Sequence, residues 1–315
     1  MINLANESGL KSKPLQLSIV IPTYRREQVL LNTLSALLNM KEQGDELIVV
    51  DQTEAHEKRT KKQLVEWERQ GLVKVLVLRT PSITASMNFG MLSADADLVL
   101  FLDDDLVPHA GLVDGHRRAH QSDSSLWATV GQVIQPWQVA EPISPPRRRK
   151  GLETDFDFPF HSTIDADVEN VMAGNLCVNR ERALRIGGFD ERFIGAAYRF
   201  ETDFARRVIN VGGKIRFIGS AGVDHLRAES GGTRSSGNHM TSASPEHGFG
   251  DYYYAFRHGR PGEAWVYSLK RVFREVRTRF HLTHPWWIPV KLVGEIRAIL
   301  MARRIIRQGP KLPFG

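Results

Sequence analysis

The feature that most constrains this chain is the alternation, through its first hundred or so residues, of unbroken apolar runs with segments of helical period. Leu17 to Ile21 reads LSIVI, a buried strand that Pro22 should end, because proline cannot donate to a sheet ladder. Leu30, Leu34, Leu37 and Leu38 then recur at i, i+4, i+7 and i+8, the stripe of an amphipathic helix. ELIVVDQT follows as a second strand closing on Asp51. A charged, helical stretch from His56 to Gln70 leads to the strand VKVLVL, and a short helix near Ala85 to Ser93 leads to DLVLFLDDD. Strands that alternate with helices pair in parallel through crossovers, and strands apolar on both faces are covered by helices on both. The expected fold class is α/β, a Rossmann-like, mostly parallel central sheet flanked by helices, with a C-terminal helical appendage.

In open sheets of this kind ligands lie beyond the carboxyl ends of the strands. Pro22 to Tyr24, Asp51 and Asp103 to Asp105 all fall at strand ends and converge there although they are far apart in sequence. The triplet Asp103, Asp104 and Asp105 is the sharpest signal. Two unit charges about 5 Å apart at an effective dielectric near 20 repel by roughly 3 kcal/mol, so a fold that fixes them needs water or a cation among them. The first strand-to-helix turn, PTYRRE, has no glycine, which argues against a dinucleotide cradle. Tyr24 offers an aromatic face for a base instead.

Beyond LWATVGQVI the pattern breaks. Residues 136–165 are rich in proline and charge, an excursion that suits a lid or an exposed insertion equally. Regularity returns at NVMAGNLCVNRERALRIGGFDERF, a strand and a short helix ended by Gly187 and Gly188. In ETDFARRVINVGG, Phe204, Val208 and Val211 mark one apolar helix face, and KIRFI and AGVDHL read as two short strands. The stretch AESGGTRSSGNH has no apolar mass and reads as a loop able to close over an anion.

The net charge of +6 is uneven. Residues 263–315 hold eleven Lys and Arg against three Glu, +8, which leaves 6 − 8 = −2 for the first 262 residues. The basic character belongs to the tail, and nucleic acid is not an expected partner. MINLANESGLKSKPLQ lacks the apolar core of a secretory signal, and no uncharged run is long enough to span a bilayer, so an intracellular protein is expected. Cys177 is the sole cysteine, which excludes an internal disulfide and reads as a small buried apolar residue.

Taken in order, SIVIPTYRRE, VVDQT, SMNFG, LFLDDDLVP, GNLCVNRERALRIGGFDERF, RFETDFARRV and VDHL resemble the family 2 glycosyltransferases, nucleotide-sugar enzymes of the GT-A fold. The later DYYYAFRHG is similar to a segment of bacterial members. The resemblance implies a GT-A catalytic domain over residues 17–262, with a nucleotide-binding half near 17–135 and an acceptor half near 166–262. A tail at 1–16 would precede it and a basic amphipathic helical tail at 263–315 would follow.

Carried over residue by residue, Pro22, Tyr24 and Glu27 would surround the base and ribose, and Asp51 would contact the base or sugar. Asn88 matches a donor-site asparagine, with Met87 standing where the family has arginine. The triplet matches the DxD region, holding Mg²⁺ or Mn²⁺ against the donor diphosphate, with Asp105 the direct ligand, Asp103 and Asp104 beside it and His225 a second ligand. Arg234 would help stabilise the departing diphosphate. Glu201 stands in place of the family's catalytic aspartate and would take the proton of the acceptor hydroxyl. Asp203 is its competitor, or else a helix N-terminal charge.

The implied reaction is an inverting, metal-dependent hexosyl transfer from a nucleotide-diphosphate sugar, UDP by family habit. The acceptor would be a saccharide or lipid-linked one, in polysaccharide or glycolipid assembly. Two other classes fit parts of the pattern: a nucleotidyltransferase, which needs a glycine-rich triphosphate loop that PTYRRE lacks, and an inactive sugar-nucleotide-binding protein. Residues 273–312 mix Trp286, Trp287 and aliphatic side chains with Arg and Lys. They suit a segment lying on an anionic membrane surface, placing the protein peripherally on the inner face of the cell membrane, or a helical appendage packed on the catalytic domain.

Overall fold

The structure is a computed structural model and describes residues 15–147, 149–233 and 238–313. The alternation of the first half becomes β1 (Leu17–Thr23), α1 (Gln28–Leu38), β2 (Glu46–Asp51), α2 (Lys58–Arg69), β3 (Lys74–Val77), α3 (Ile83–Ser93) and β4 (Leu98–Leu102). The chain continues through β5 (Leu106–Pro108), α4 (Leu112–Ser122), β6 (Leu126–Ile134), β7 (Ala166–Val168), β8 (Asn175–Asn179), α5 (Arg180–Arg185), α6 (Phe200–Asn210) and β9 (Lys214–His225). Helices α7 (Glu246–His258), α8 (Pro261–Val276), α9 (Arg279–Thr283) and α10 (Ile288–Ile306) form the appendage.

The strands make one sheet in the order β3-β2-β1-β4-β8-β6-β9-β5, with β7 on β9. The parallel arrangement expected from the sequence runs through β3, β2, β1 and β4 and recurs between β6 and β9, whereas β8, β5 and β7 pair antiparallel. Side chains alternate between the two faces of β1. Ile19 and Ile21 join the leucines of α1 on one side, and Val20 joins Phe101, Met87 and Met91 on the other. Helix α3 lies so close to the sheet that a Cβ at Gly90 would strike Val20. Its start is fixed by Ser82, whose hydroxyl accepts the Ala85 N–H.

Four boundaries differ from the sequence reading. Pro22 does not end β1: Gln52 N–H donates to Thr23 O at 3.0 Å, so alternation aims the proline nitrogen at the β4 side, where pairing has already stopped at Val20 opposite Phe101. KIRFI and AGVDHL are one strand, β9, with an irregularity where its register to β6 jumps between Ile218 and Gly222. Val211 lies past the end of α6 and is exposed, while Phe204 and Val208 are buried. Residues 136–165 are neither a free lid nor a wholly exposed insertion. Trp137 and Val139 face solvent, but Leu152 and Phe158 are buried and the Phe158 ring packs 5.0 Å from Phe217. Cys177 is buried in β8 as a small apolar residue.

Helix α7 is the hub between sheet and appendage. Its three consecutive tyrosines are fully buried, and their hydroxyls donate in three directions, Tyr252 to Glu295 on α10, Tyr253 to Asp190 and Tyr254 to the Leu152 carbonyl.

Candidate active site

The acid triplet follows β4, and the pairing of Leu106 with His225 brings the end of β9 beside it. Asp103, Asp105 and His225 offer ligand atoms that all lie within 4.8 Å of one another. His225 Nε2 is 3.2 Å from Asp105 Oδ1 and 3.8 Å from Asp103 Oδ2, and its Nδ1 meets Gln135 Oε1 at 3.0 Å. Two carboxylates and an imidazole suit a hard or borderline divalent cation. Gly174 keeps room for the cluster, since a Cβ there would strike the Asp103 carboxylate.

The repulsion within the triplet is answered by a residue that the sequence reading left unassigned. Arg26, nine-tenths buried, donates from Nε to Asp104 at 3.2 Å and from Nη2 to Asp105 Oδ2 at 3.1 Å. Its Nη1 reaches the carbonyls of Ala228 and Ser230, so the same guanidinium fastens the loop after β9. Asp104 is further held by the Thr23 hydroxyl at 2.7 Å; burial pushes its pKa up to about 7 against the pull of Thr23 and Arg26. Burial also opposes ionisation of Asp105, but hydrogen bonds from His225 and the Ala228 N–H outweigh it and hold its pKa below the usual carboxylate value.

A cavity of about 450 Å³ opens on this cluster, lined by Pro22, Tyr24, Gln52 and Met87 as well as by the triplet. A second, of about 760 Å³, shares Asp103, His225 and Arg227 with the first and runs to the appendage. Glu201, in the first turn of α6, lines this second cavity and accepts the Ala173 N–H at 2.7 Å. Asn170, itself buried, lines it too, and its Oδ1 has no hydrogen-bond partner among the described residues. The turn before α6 carries two non-glycine residues in the left-handed region, Ala197 (φ 49°) and Arg199 (φ 70°), with the exposed Tyr198 between them. Arg199 is held by Asp251 of α7 at 2.9 Å and lies 3.7 Å over the Phe156 ring.

Other expected residues have partners within the protein. Asp51 and Glu27 grip opposite nitrogens of His56, at 3.0 and 3.2 Å, and neither carboxylate lines the two cavities. The hydrogen bond to Asp51 raises the His56 pKa above its ordinary value despite partial burial. Asn88 spends its amide on Phe189, accepting from its N–H and donating to its carbonyl, both at 2.8 Å. Asp203 is fully buried against Arg207, Arg257 and His258, as a helix N-terminal charge, and lines neither cavity. Arg234 lies outside the described residues, as does most of the 1–16 tail.

Residues 18–156 match the family model described as Glycosyl transferase family 2. The match spans just under half of the chain, from β1 through the acid triplet to the insertion. No curated protein matches the chain. Among solved structures, S. aureus TarS 1–349 superposes with a TM-score of 0.59 at 14% identity, over 90% of this chain and 81% of that one. GalNAc-T7 with UDP, GalNAc and Mn²⁺ gives 0.58 at 17%, over 78% and 51%. The mannosyltransferase PcManGT from Pyrobaculum calidifontis, in complex with GDP-Man and Mn²⁺, gives 0.53 at 14%, over 95% and 80%. At such identities the likeness establishes the architecture, the GT-A fold. The chain spans about half the length of GalNAc-T7 and 36% of a longer TarS chain.

Proposed function

We propose that this chain is a metal-dependent, inverting glycosyltransferase of the hexosyl-transferring kind. It would move a sugar from a nucleotide-diphosphate donor, UDP-linked by family habit, to a saccharide or lipid-linked acceptor in polysaccharide or glycolipid assembly. Peripheral attachment to the inner face of a cell membrane, as in a bacterial enzyme of this type, belongs to the same reading. One observation carries it: Asp103, Asp105 and His225 sit where the two cavities meet, and Glu201 lines only the larger of the two.

In this reading the smaller cavity takes the donor. Tyr24 and Pro22 border the base, and Asp103, Asp105 and His225 hold a divalent cation that would supply positive charge to the donor diphosphate. Arg26 keeps Asp104 and Asp105 in place whether or not the donor is present, which lowers the reorganisation needed on binding. The larger cavity takes the acceptor. Glu201, oriented by the Ala173 N–H, accepts the proton of the acceptor hydroxyl as its oxygen attacks the anomeric carbon from the face opposite the departing diphosphate. Tyr198 and Asn170 fit recognition of a pyranose, one by stacking and the other by accepting from a hydroxyl. A nucleotidyltransferase is disfavoured because the β1–α1 turn is tied by Arg25 and Arg26 to Glu54, Asp104 and Asp105 and forms no open glycine cradle.

The test is a thermal-shift panel of sugar nucleotides with Mn²⁺ or with EDTA. A ligand held at a hundred times its Kd stabilises by about 2.7 kcal/mol. The expected outcome is a shift for one nucleotide class that vanishes with EDTA and in Asp105→Ala. A panel without any metal-dependent shift would overturn the proposal.

A further inference from the structure

The appendage is two-faced. Its inner side walls the larger cavity through Arg271, Arg274 and Glu275 of α8 and Lys291 of α10. The pairs Lys291–Glu275 at 3.1 Å and Arg271–Glu295 at 3.5 Å, with the Arg303 guanidinium 5.6 Å over Trp265, set α8 and α10 side by side and antiparallel. Its outer side carries exposed apolar residues: Trp265, Val266, Leu269 and Phe273 on α8, then Val293, Ile296 and Leu300 on α10. Leu269 and Leu300 are 65% and 61% exposed, and Trp286, in the short turn before α10, is 65% exposed. Leu282 of α9 is exposed as well, and the remaining exposed large apolar side chains among the described residues are scattered over the sheet domain.

Charge is sorted the same way. All three glutamates of residues 263–315 are engaged inward, Glu263 with the Leu152 N–H and Glu275 and Glu295 with Arg271 and Lys291. Lys270, Arg277, Arg297, Arg303, Arg304 and Arg307 are exposed, and Arg277 and Arg303 lie over the rings of Phe273 and Trp265 at the border of the apolar strip. A second copy of this surface would bring like charges together, which opposes self-association. No helix among the described residues is long and apolar enough to cross a membrane.

We infer that the outer face of α8 and α10 docks on the surface of an anionic lipid bilayer, with Trp265 and Trp286 at headgroup depth and the flanking arginines on lipid phosphates. The two helices then form one layer between lipid and the larger cavity, so the acceptor site stands about one helix diameter, ~10 Å, above the headgroups. That placement suits an acceptor carried on a lipid, a step that rests on the proposed function. The docking gives the peripheral attachment in that reading a surface, and it is argued from exposure and charge alone.

The experiment is flotation of the full chain with phosphatidylglycerol–phosphatidylcholine vesicles and with pure phosphatidylcholine vesicles, at low and high salt. Binding is expected to the anionic vesicles only, weakened by salt, and reduced about tenfold or more in Leu269→Glu/Leu300→Glu and in Arg303→Glu/Arg304→Glu. Both doubles change exposed positions, and an unaltered circular dichroism spectrum and metal-dependent nucleotide shift would show them folded. A chain that stays unbound, or binds equally in the variants, overturns the docking. So does a dimer that Leu269→Glu/Leu300→Glu dissociates, which would assign the face to a second copy. Vesicle binding is read without donor, so absence of any nucleotide shift would sink the enzymatic reading and leave the docking standing.

Discussion

The two cavities that meet at Asp103 and His225 are built in opposite ways. The smaller draws about half of its wall from the ends of β1, β2 and β4 and much of the rest from the loop after β9, and its charge is balanced locally by Arg26, four residues beyond Pro22. A parallel open sheet supplies such a pocket wherever its strands end together. The larger is assembled from the turn before α6, the approach to β8 and three helices of the appendage, joined by buried ion pairs such as Arg199–Asp251 and Lys291–Glu295. It also depends on a backbone held in the left-handed region at Ala197 and Arg199. Gly250 of α7 lets that turn come close, since a Cβ there would run into the Tyr198 carbonyl. The contrast teaches that one half of the site comes with the fold, whereas the other must be enforced against strain and desolvation.

If the cavities divide donor from acceptor, variants should separate the two functions. The largest effect is expected for Glu201→Gln, which keeps the side-chain shape and the hydrogen bond from Ala173 but removes the base. General-base catalysis is worth about 10²- to 10⁴-fold, so transfer should fall by that factor, ~3–5 kcal/mol in the barrier. The Mn²⁺-dependent nucleotide shift should stay unchanged. Full turnover in Glu201→Gln would return the role of base to another group. Next comes Asp251→Ala. Asp251 is fully buried, and its ionised form is held, against desolvation, by Arg271 and Arg199. Leaving those cations short of a partner should cost about 3 kcal/mol of stability in urea unfolding and raise the KM for acceptor by releasing Arg199 and Tyr198. An equal loss of donor affinity would show that the two cavities do not act separately.

How far the sequence reached follows the same division. The strands, the helix leucines and the carboxylate triplet announce themselves by period and position, because each depends on neighbours within a few residues. His225 came through resemblance; in the structure the link is the register of Leu106 on β9, which no local pattern encodes. Asn88 and Asp203 show the limit of residue type. An asparagine that clamps the Phe189 peptide and an aspartate that holds two arginines and His258 look, in sequence, like groups able to meet a ligand. Arg26 and His56 carried no signal because their partners are 78 and 5 residues away in directions only the folded sheet defines. The tail was legible as amphipathic, but its buried face could not be told from its exposed one until α7 was in place.

Histidines give the smallest and most graded test of the comparison. At the end of β2 His56 sits between Asp51 and Glu27 with its pKa raised, chiefly by the hydrogen bond to Asp51. Behind the other half of the sheet His116 is fully buried between Thr129 and Asn175, and burial pushes its pKa down to about 4. His120 is driven the same way, to about 3. The signs are therefore opposite. His56 contributes stability that is complete below its unfolded pKa near 6.5 and is lost as pH rises through its higher folded value. His116 and His120 must stay neutral, so as pH falls below about 6.5 the unfolded chain takes up protons that the folded chain refuses. Each then removes about 1.4 kcal/mol per pH unit, until the folded pKa is reached. Urea unfolding of the metal-free protein should show stability falling from pH 6.5 toward pH 4. In His56→Gln the gain in stability that wild type shows as pH falls toward 6.5 from above should be lost, whereas the slope below pH 6.5 should be unchanged. A wild-type curve flat across that window would mean that the buried pair is solvated on the far side of the sheet.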